Sequence, residues 1–213
     1  MIVRILTTTL AIVSFVSVAG WLSSSTSPML PGANPANGFT PSIPTACYAL
    51  PLACELRIEL PDQIKRSAVG DYKIQIHNVG AVRVTLVQPG DGSASGRRTP
   101  LVGWSLLAVD SEEKHPVIPP ARGGGRCGNI NPLQPDELFV LKPGETKNLY
   151  QPIDVLRSAA PGKYRVVFYY TNVPDLPAAG IALSQHDRGT LERLRHSTPM
   201  ALVSNEVQVE IID

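Results

Sequence analysis

Pro161-Gly162-Lys163-Tyr164-Arg165-Val166-Val167-Phe168-Tyr169-Tyr170 decides how the rest of this chain is read. A Pro-Gly turn opens a run in which Tyr164, Val166, Phe168 and Tyr170 fall on one side. Lys163, Arg165, Val167 and Tyr169 fall on the other. A period of two is the spacing of a β-strand, here one with a heavily apolar face. β-branched and aromatic residues are denser here than anywhere else in the chain, so this is the expected central core strand.

Shorter alternating runs stand on either side of it. Glu55 to Leu60 alternates and stops at Pro61; Asp71 to Asn78 alternates with Tyr72, Ile74 and Ile76 inward; Val82, Val84 and Leu86 give a third strand. The polar tip Pro89 to Arg98 reads as a solvated hairpin end leading to a strand over Leu101 to Val109, which contains Trp104. Leu138 to Leu141, Thr146 to Ile153 and Val203 to Ile212 read as three more strands, with a Lys142-Pro143-Gly144-Glu145 turn between the first two. Asp154 to Ala160 suggests one helical turn, and Leu191 to His196 is mildly helical. Two stretches lack a strand period, 110–136 and 171–202. Loops of that length in a folded unit are usually functional or disordered.

Composition agrees with this reading. Twenty prolines and seventeen glycines in 213 residues are too many for a helical protein and suit short strands joined by turns. An apolar content of 43% can supply a core. The net charge is +1, so no bulk electrostatic attraction to nucleic acid is expected.

The first residues have a direction. Arg4 precedes an uncharged apolar stretch, Ile5 to Leu22, softened by Thr7, Thr8, Thr9, Ser14 and Ser17. Residues 1–22 therefore read as a signal peptide or signal anchor, with Ser17-Val18-Ala19 offering small residues for cleavage. Residues 23–46 are rich in Ser, Pro and Asn and cannot bury enough apolar surface to offset ordering; they read as a flexible linker. The folded part is expected at 47–213, outside the cytoplasm: periplasmic, secreted, or membrane-anchored and facing out.

Leu141-Lys142-Pro143-Gly144-Glu145, the Pro-Gly-Lys-Tyr-Arg-Val run and the terminal Ser204-Asn205-Glu206-Val207 strand together resemble the closing half of bacterial exported immunoglobulin-like domains. Ile76-His77-Asn78-Val79-Gly80 is similar to the strand and turn near their start. The resemblance covers roughly residues 55–110 and 138–212. It implies that Tyr164 is a corner tyrosine whose hydroxyl bonds back to upstream backbone, and that Trp104 is the core tryptophan. Trp104, Tyr164 and Phe168 are thus the expected structural residues. The cysteine pair that flanks such a tryptophan in antibody-type domains is absent from the matching strands. Such modules imply adhesion, docking or inhibition and do not imply a reaction.

Tests for chemistry return little. Gly123-Gly124-Gly125-Arg126-Cys127-Gly128 lacks the Gly-Lys-Ser/Thr ending and following helix of a phosphate cradle. Cys47, Cys54 and Cys127 are candidates for one disulfide in an oxidising compartment. Cys47–Cys54 and Cys54–Cys127 both remain open. No Cys or His spacing supplies a zinc site, and Asp91 to Gly96 offers too few carboxylates for calcium. Arg97, Arg98, His115, Arg122 and Arg126 are the candidate binding-loop residues; the four arginines would make a basic rim for an acidic partner, to which Arg193 and Arg195 add if both long loops reach one end, with solvated surface arginines as the default reading.

The expectation is therefore all-β: an immunoglobulin-like antiparallel β-sandwich of seven or eight strands. It is read as a non-catalytic binding module for a protein or envelope ligand, with no cofactor, no metal and no catalytic residue. Its membrane attachment would run only through the N-terminal segment. The alternatives are a loop-borne enzyme around Asp110, Glu112, His115 and Cys127, an enzyme-accessory or protease-inhibitor-like domain, and a structural envelope component.

Overall fold

Period-two patterning becomes ten strands among the residues that the computed structural model describes, 53–67, 71–116, 131–151, 153–174 and 187–213. They are β1 (Cys54–Glu59), β2 (Gln63–Lys65), β3 (Lys73–Asn78), β4 (Val84–Val87), β5 (Leu101–Ala108), β6 (Leu138–Leu141), β7 (Thr146–Leu149), β8 (Gly162–Asn172), β9 (Met200–Val203) and β10 (Val207–Ile212). Two helices, α1 (Asp154–Ser158) and α2 (Arg188–Arg195), complete the set. The protein is mostly β, with several antiparallel sheets.

One sheet has the order β1-β3-β7 and a second the order β2-β10-β8-β5, with β9 also on β8; β4 and β6 pair separately. Every pairing is antiparallel except β2 with β10, which is parallel. The first alternating run becomes β1 and stops before Pro61; beyond that proline the short β2 joins the other sheet. All three sheets feed one apolar core: Leu56, Ile58, Ile74 and Ile76 from the first, Trp104, Phe168, Val209 and Ile211 from the second, Leu86 and Leu141 from the pair. Trp104 and Phe168 are opposite each other in the β5–β8 register, with ring centroids 4.7 Å apart and planes tilted by 54°. Tilted packing of this kind avoids stacking two negative ring faces.

β8 is the strand most enclosed. The sequence suggested a single apolar face, but every side chain from Val166 to Asn172 is buried. Val167 and Tyr169, on the face away from Phe168, are 3% and 1% exposed. Residues 111–116 account for this, as they run back along that face and cover it.

The last strand is broken where the sequence suggested continuity. β9 pairs Val203 with Tyr169, and β10 pairs Val207 with Val166. Three residues, Ser204 to Glu206, therefore oppose two on β8, which is a β-bulge. The inward positions accordingly pass from even (Met200, Leu202) to odd (Val209, Ile211). Asn205 in this bulge bonds to the facing sheet. Its Oδ1 accepts from Ile58 N at 2.8 Å and its Nδ2 donates to Ile58 O at 3.1 Å.

Other differences have equally local causes. Val82 is 65% exposed and precedes β4, so the third strand starts later than the alternation suggested. β7 ends at Leu149, before Pro152. The tip at 89–98 is not simply solvated: Ser93 and Arg98 are buried there, as is the adjoining Thr99. Ten strands replace the expected seven or eight because β2 and β9 were not foreseen.

Asn205→Ala removes both bonds to Ile58 and leaves its backbone groups without those partners. Urea unfolding should show a loss of about 2 kcal/mol, with the m-value unchanged.

Candidate functional site

The strand ends gather the loops. β4 ends, β5 begins, β6 begins, β8 ends and β9 begins at one end of the paired strands, as the β4–β6, β5–β8 and β8–β9 registers require. The segments 88–100, 131–137 and 187–199 consequently meet there. α2 is preceded by Asp187, whose carboxylate accepts from Thr190 N at 2.7 Å and so caps one of the helix's free amides. Those bonds hold the Asp187 carboxyl below its usual range. Leu194 of α2 packs with Val87, Leu133 and Leu138 in a second small apolar cluster. Arg193 donates to Pro135 O and Leu138 O, so its guanidinium ties the helix to β6.

Among the described residues, Arg98 is the largest side chain buried to this depth, at 2% exposure. Its Nη2 donates to Glu137 Oε1 at 2.7 Å and its Nη1 to Glu137 Oε2 at 3.2 Å and to Asn131 O. The fork geometry matches both carboxylate oxygens at once. Glu137 Oε2 also accepts from Gln134 N at 2.7 Å, which closes the turn Pro135–Glu137. Gly90 must be small here, because a Cβ on it would lie 1.9 Å from Arg98 Nη2. Arg98 therefore does not belong to an exposed basic rim. It clamps 131–137 to the β4–β5 connection.

A second polar knot lies beside it. Asn172, fully buried, donates to Ser197 Oγ and Thr198 O and accepts from Thr99 Oγ1; Val173 N donates to Thr99 Oγ1. Each long excursion is thus fastened at its root by interior hydrogen bonds.

His115 sits elsewhere, over the open face of the β5–β8 pair. Its Nδ1 lies 2.9 Å from Ser105 Oγ, and its Nε2 lies 3.4 Å from Glu206 Oε2 without a hydrogen bond. Arg165 Nη1 approaches the same Glu206 oxygen at 3.6 Å. Arg165 Nη2 donates to Ser111 O and Glu113 O, and the Tyr169 hydroxyl donates to Pro116 O. Desolvation lowers the His115 pKa most; Glu206 opposes that shift and Arg165 adds to it. A Ser–His–carboxylate set can in principle activate a hydroxyl. Ser105, however, is buried in mid-strand under the histidine.

The remaining foreseen residues have definite places. Trp104 and Phe168 lie in the core, and Tyr164 OH donates to Ala160 O at 2.9 Å. Cys54 is a buried free thiol at the start of β1, and burial pushes its pKa up to about 11. Cys47, Cys127, Arg122 and Arg126 lie outside the described residues. Arg97 is half-buried on the 88–100 segment, and Asp110 and Glu112 are exposed. Ser105, Glu206 and Tyr169 had no signal in the sequence that would join them to His115. They are 10, 91 and 54 positions away, and only the strand registers bring them together.

Among the described residues, no group of three or more His, Cys, Asp or Glu could hold a metal ion, and no helix is long and apolar enough to cross a membrane. Compared with family models, curated proteins and solved structures, the chain matches none.

Glu137→Gln strands the Arg98 cation in the interior. Chemical denaturation should show a loss of about 3 kcal/mol, whereas Glu55→Gln at the exposed Arg57 pair should change stability by less than about 1 kcal/mol.

Proposed function

We propose that this chain is an exported, non-catalytic interaction module built on an immunoglobulin-like β-sandwich. One observation carries the fold reading: β1 and β2, which stand on either side of Pro61, belong to two different sheets, of order β1-β3-β7 and β2-β10-β8-β5. In immunoglobulin-type domains the first, second, fourth and fifth strands share one sheet, and the third, sixth and seventh share the other. With β2 counted with β1, β4 left out and β6 taken as the fourth strand, β1, β3 and β7 and likewise β5, β8 and β10 fall as in that scheme, while β6 departs from it by pairing with β4. Trp104 then stands on the third strand, and the Tyr164 hydroxyl makes the corner bond to Ala160. The Trp104 core is filled by Phe168 and aliphatic side chains rather than by a disulfide.

Binding would be carried by the excursions at 110–136 and 171–202, which a rigid scaffold presents without needing to move. Their roots are held by the Arg98–Glu137 clamp and the Asn172 knot. The partner class is a protein or another envelope ligand. The near-neutral net charge gives no attraction to nucleic acid, and membrane contact would pass only through residues 1–22.

A catalytic reading has one observation in its favour, the Ser105–His115–Glu206 set. The burial of Ser105 stands against it, because a substrate carbonyl must reach the nucleophile.

Three measurements test the proposal. Residues 1–22 fused to a reporter that is active only outside the cytoplasm should give activity; a silent fusion overturns export. Immobilised protein should retain an envelope component and lose it when 117–130 and 175–186 are replaced by Gly-Ser linkers; unchanged capture overturns loop-borne binding. A fluorophosphonate probe should leave the protein unlabelled, and labelling that disappears in Ser105→Ala would establish the catalytic reading instead. For the fold itself, Tyr164→Phe should lower stability by about 1 kcal/mol in thermal unfolding.

A further inference from the structure

We infer that residues 111–116 form an acid-releasable strap over the outer face of the β5–β8 pair, with His115 as its pH-responsive fastening. The strap lies antiparallel to β5. Ser111 and Glu113 sit over Arg165, His115 over Ser105, and Pro116 over Tyr169. Beneath it Val167 and Tyr169 are shielded from water. Removing the strap would uncover Val167 and Tyr169 on a sheet face that also carries Leu107, opposite Arg165, and Val203, opposite Tyr169.

Of the strap's three ties, only one titrates between pH 5 and 8. The Arg165 guanidinium stays charged, and the Tyr169 phenol stays protonated, its pKa raised by burial. His115 is different. A neutral ring can accept the Ser105 hydroxyl proton at Nδ1. A protonated ring must donate from both nitrogens, and Nε2, although 3.4 Å from Glu206 Oε2, makes no hydrogen bond as the strap is placed. The charged groups facing the ring are Glu206, next to β10, and Arg165 on β8; Tyr169 and Ser105 face it uncharged. Glu112, Glu113 and Lys114 lie on the strap itself and point to solvent.

The cation is therefore buried beside one acid and one base whose effects oppose each other, and desolvation decides the balance. Because the docked strap favours the neutral ring, docking is at full strength above the free-histidine pKa of about 6.5. It weakens as the pH falls through the lower value of the docked state. The device stands independently of the binding role proposed above.

The test is a two-dimensional NMR titration of the full-length chain from pH 8 to pH 5. The His115 ring signals should titrate with a midpoint below 6.5. The amides of 111–116 and the Tyr169 ring should move with that same midpoint. In His115→Phe these movements should vanish, and in Glu206→Gln the His115 midpoint should fall further. A midpoint at or above 6.5 overturns the inference, because the Glu206 pair would then hold the strap more tightly in acid. Stationary strap signals, or the same movements in His115→Phe, overturn it equally. If His115→Phe does not fold, the wild type and Glu206→Gln decide alone.

Discussion

Sheet edges that end inside a protein leave backbone amides and carbonyls away from water, and each needs a partner. Three sheets meet around one core here, so the requirement is severe. Side chains meet it by imitating strands. Asn205 gives Ile58 both an acceptor and a donor, as a neighbouring residue in a ladder would. The Tyr170 hydroxyl does the same for Val87, accepting from its N and donating to its O. Asn78 Nδ2 reaches Val82 O and Leu141 O. These contacts let separate sheets share an apolar interior without leaving those polar groups bare.

The same economy governs the loops. Arg98, Asn172 and Arg193 would be expected on a surface from their chemistry, yet each is directed at backbone carbonyls or a carboxylate at the root of a long connection. Polar networks of this kind fix geometry because a partly satisfied state is costly. Residues at the loop bases are thereby held, and variation is left to the parts beyond them.

Period-two patterning made most strands legible: β1, β3 and β10 alternate in burial, whereas β5, β6 and β8 stand where the pattern put them but are buried on both faces over part of their length. The Pro143-Gly144 turn was equally clear, and Gly144 takes the positive φ of 78° that this turn chemistry requires. What escaped was non-local. β2 has only three residues and exists because β10 offers it an edge. The strap over Val167 and Tyr169 is invisible in a pattern that records polarity but not what covers it. His115 was singled out for its neighbours in the chain. Its neighbours in space, Ser105 and Glu206, follow from the β5–β8 register and the bulge. Arg98 was placed on a basic rim because an arginine in a Gly/Ser-rich tip looks solvated; Glu137, 39 residues away, reverses that.

The bulge at Ser204–Glu206 also sets how this region tolerates insertion and deletion. A single-residue deletion there would put Met200, Leu202 and the β10 core residues in one phase along a continuous strand. It would also remove the offset that turns Asn205 towards Ile58, so the regularised ribbon would sever the cross-link between the two layers. An added residue elsewhere in β10 would invert which side chains face inward. Length changes in this terminal segment are therefore constrained by parity as much as by size.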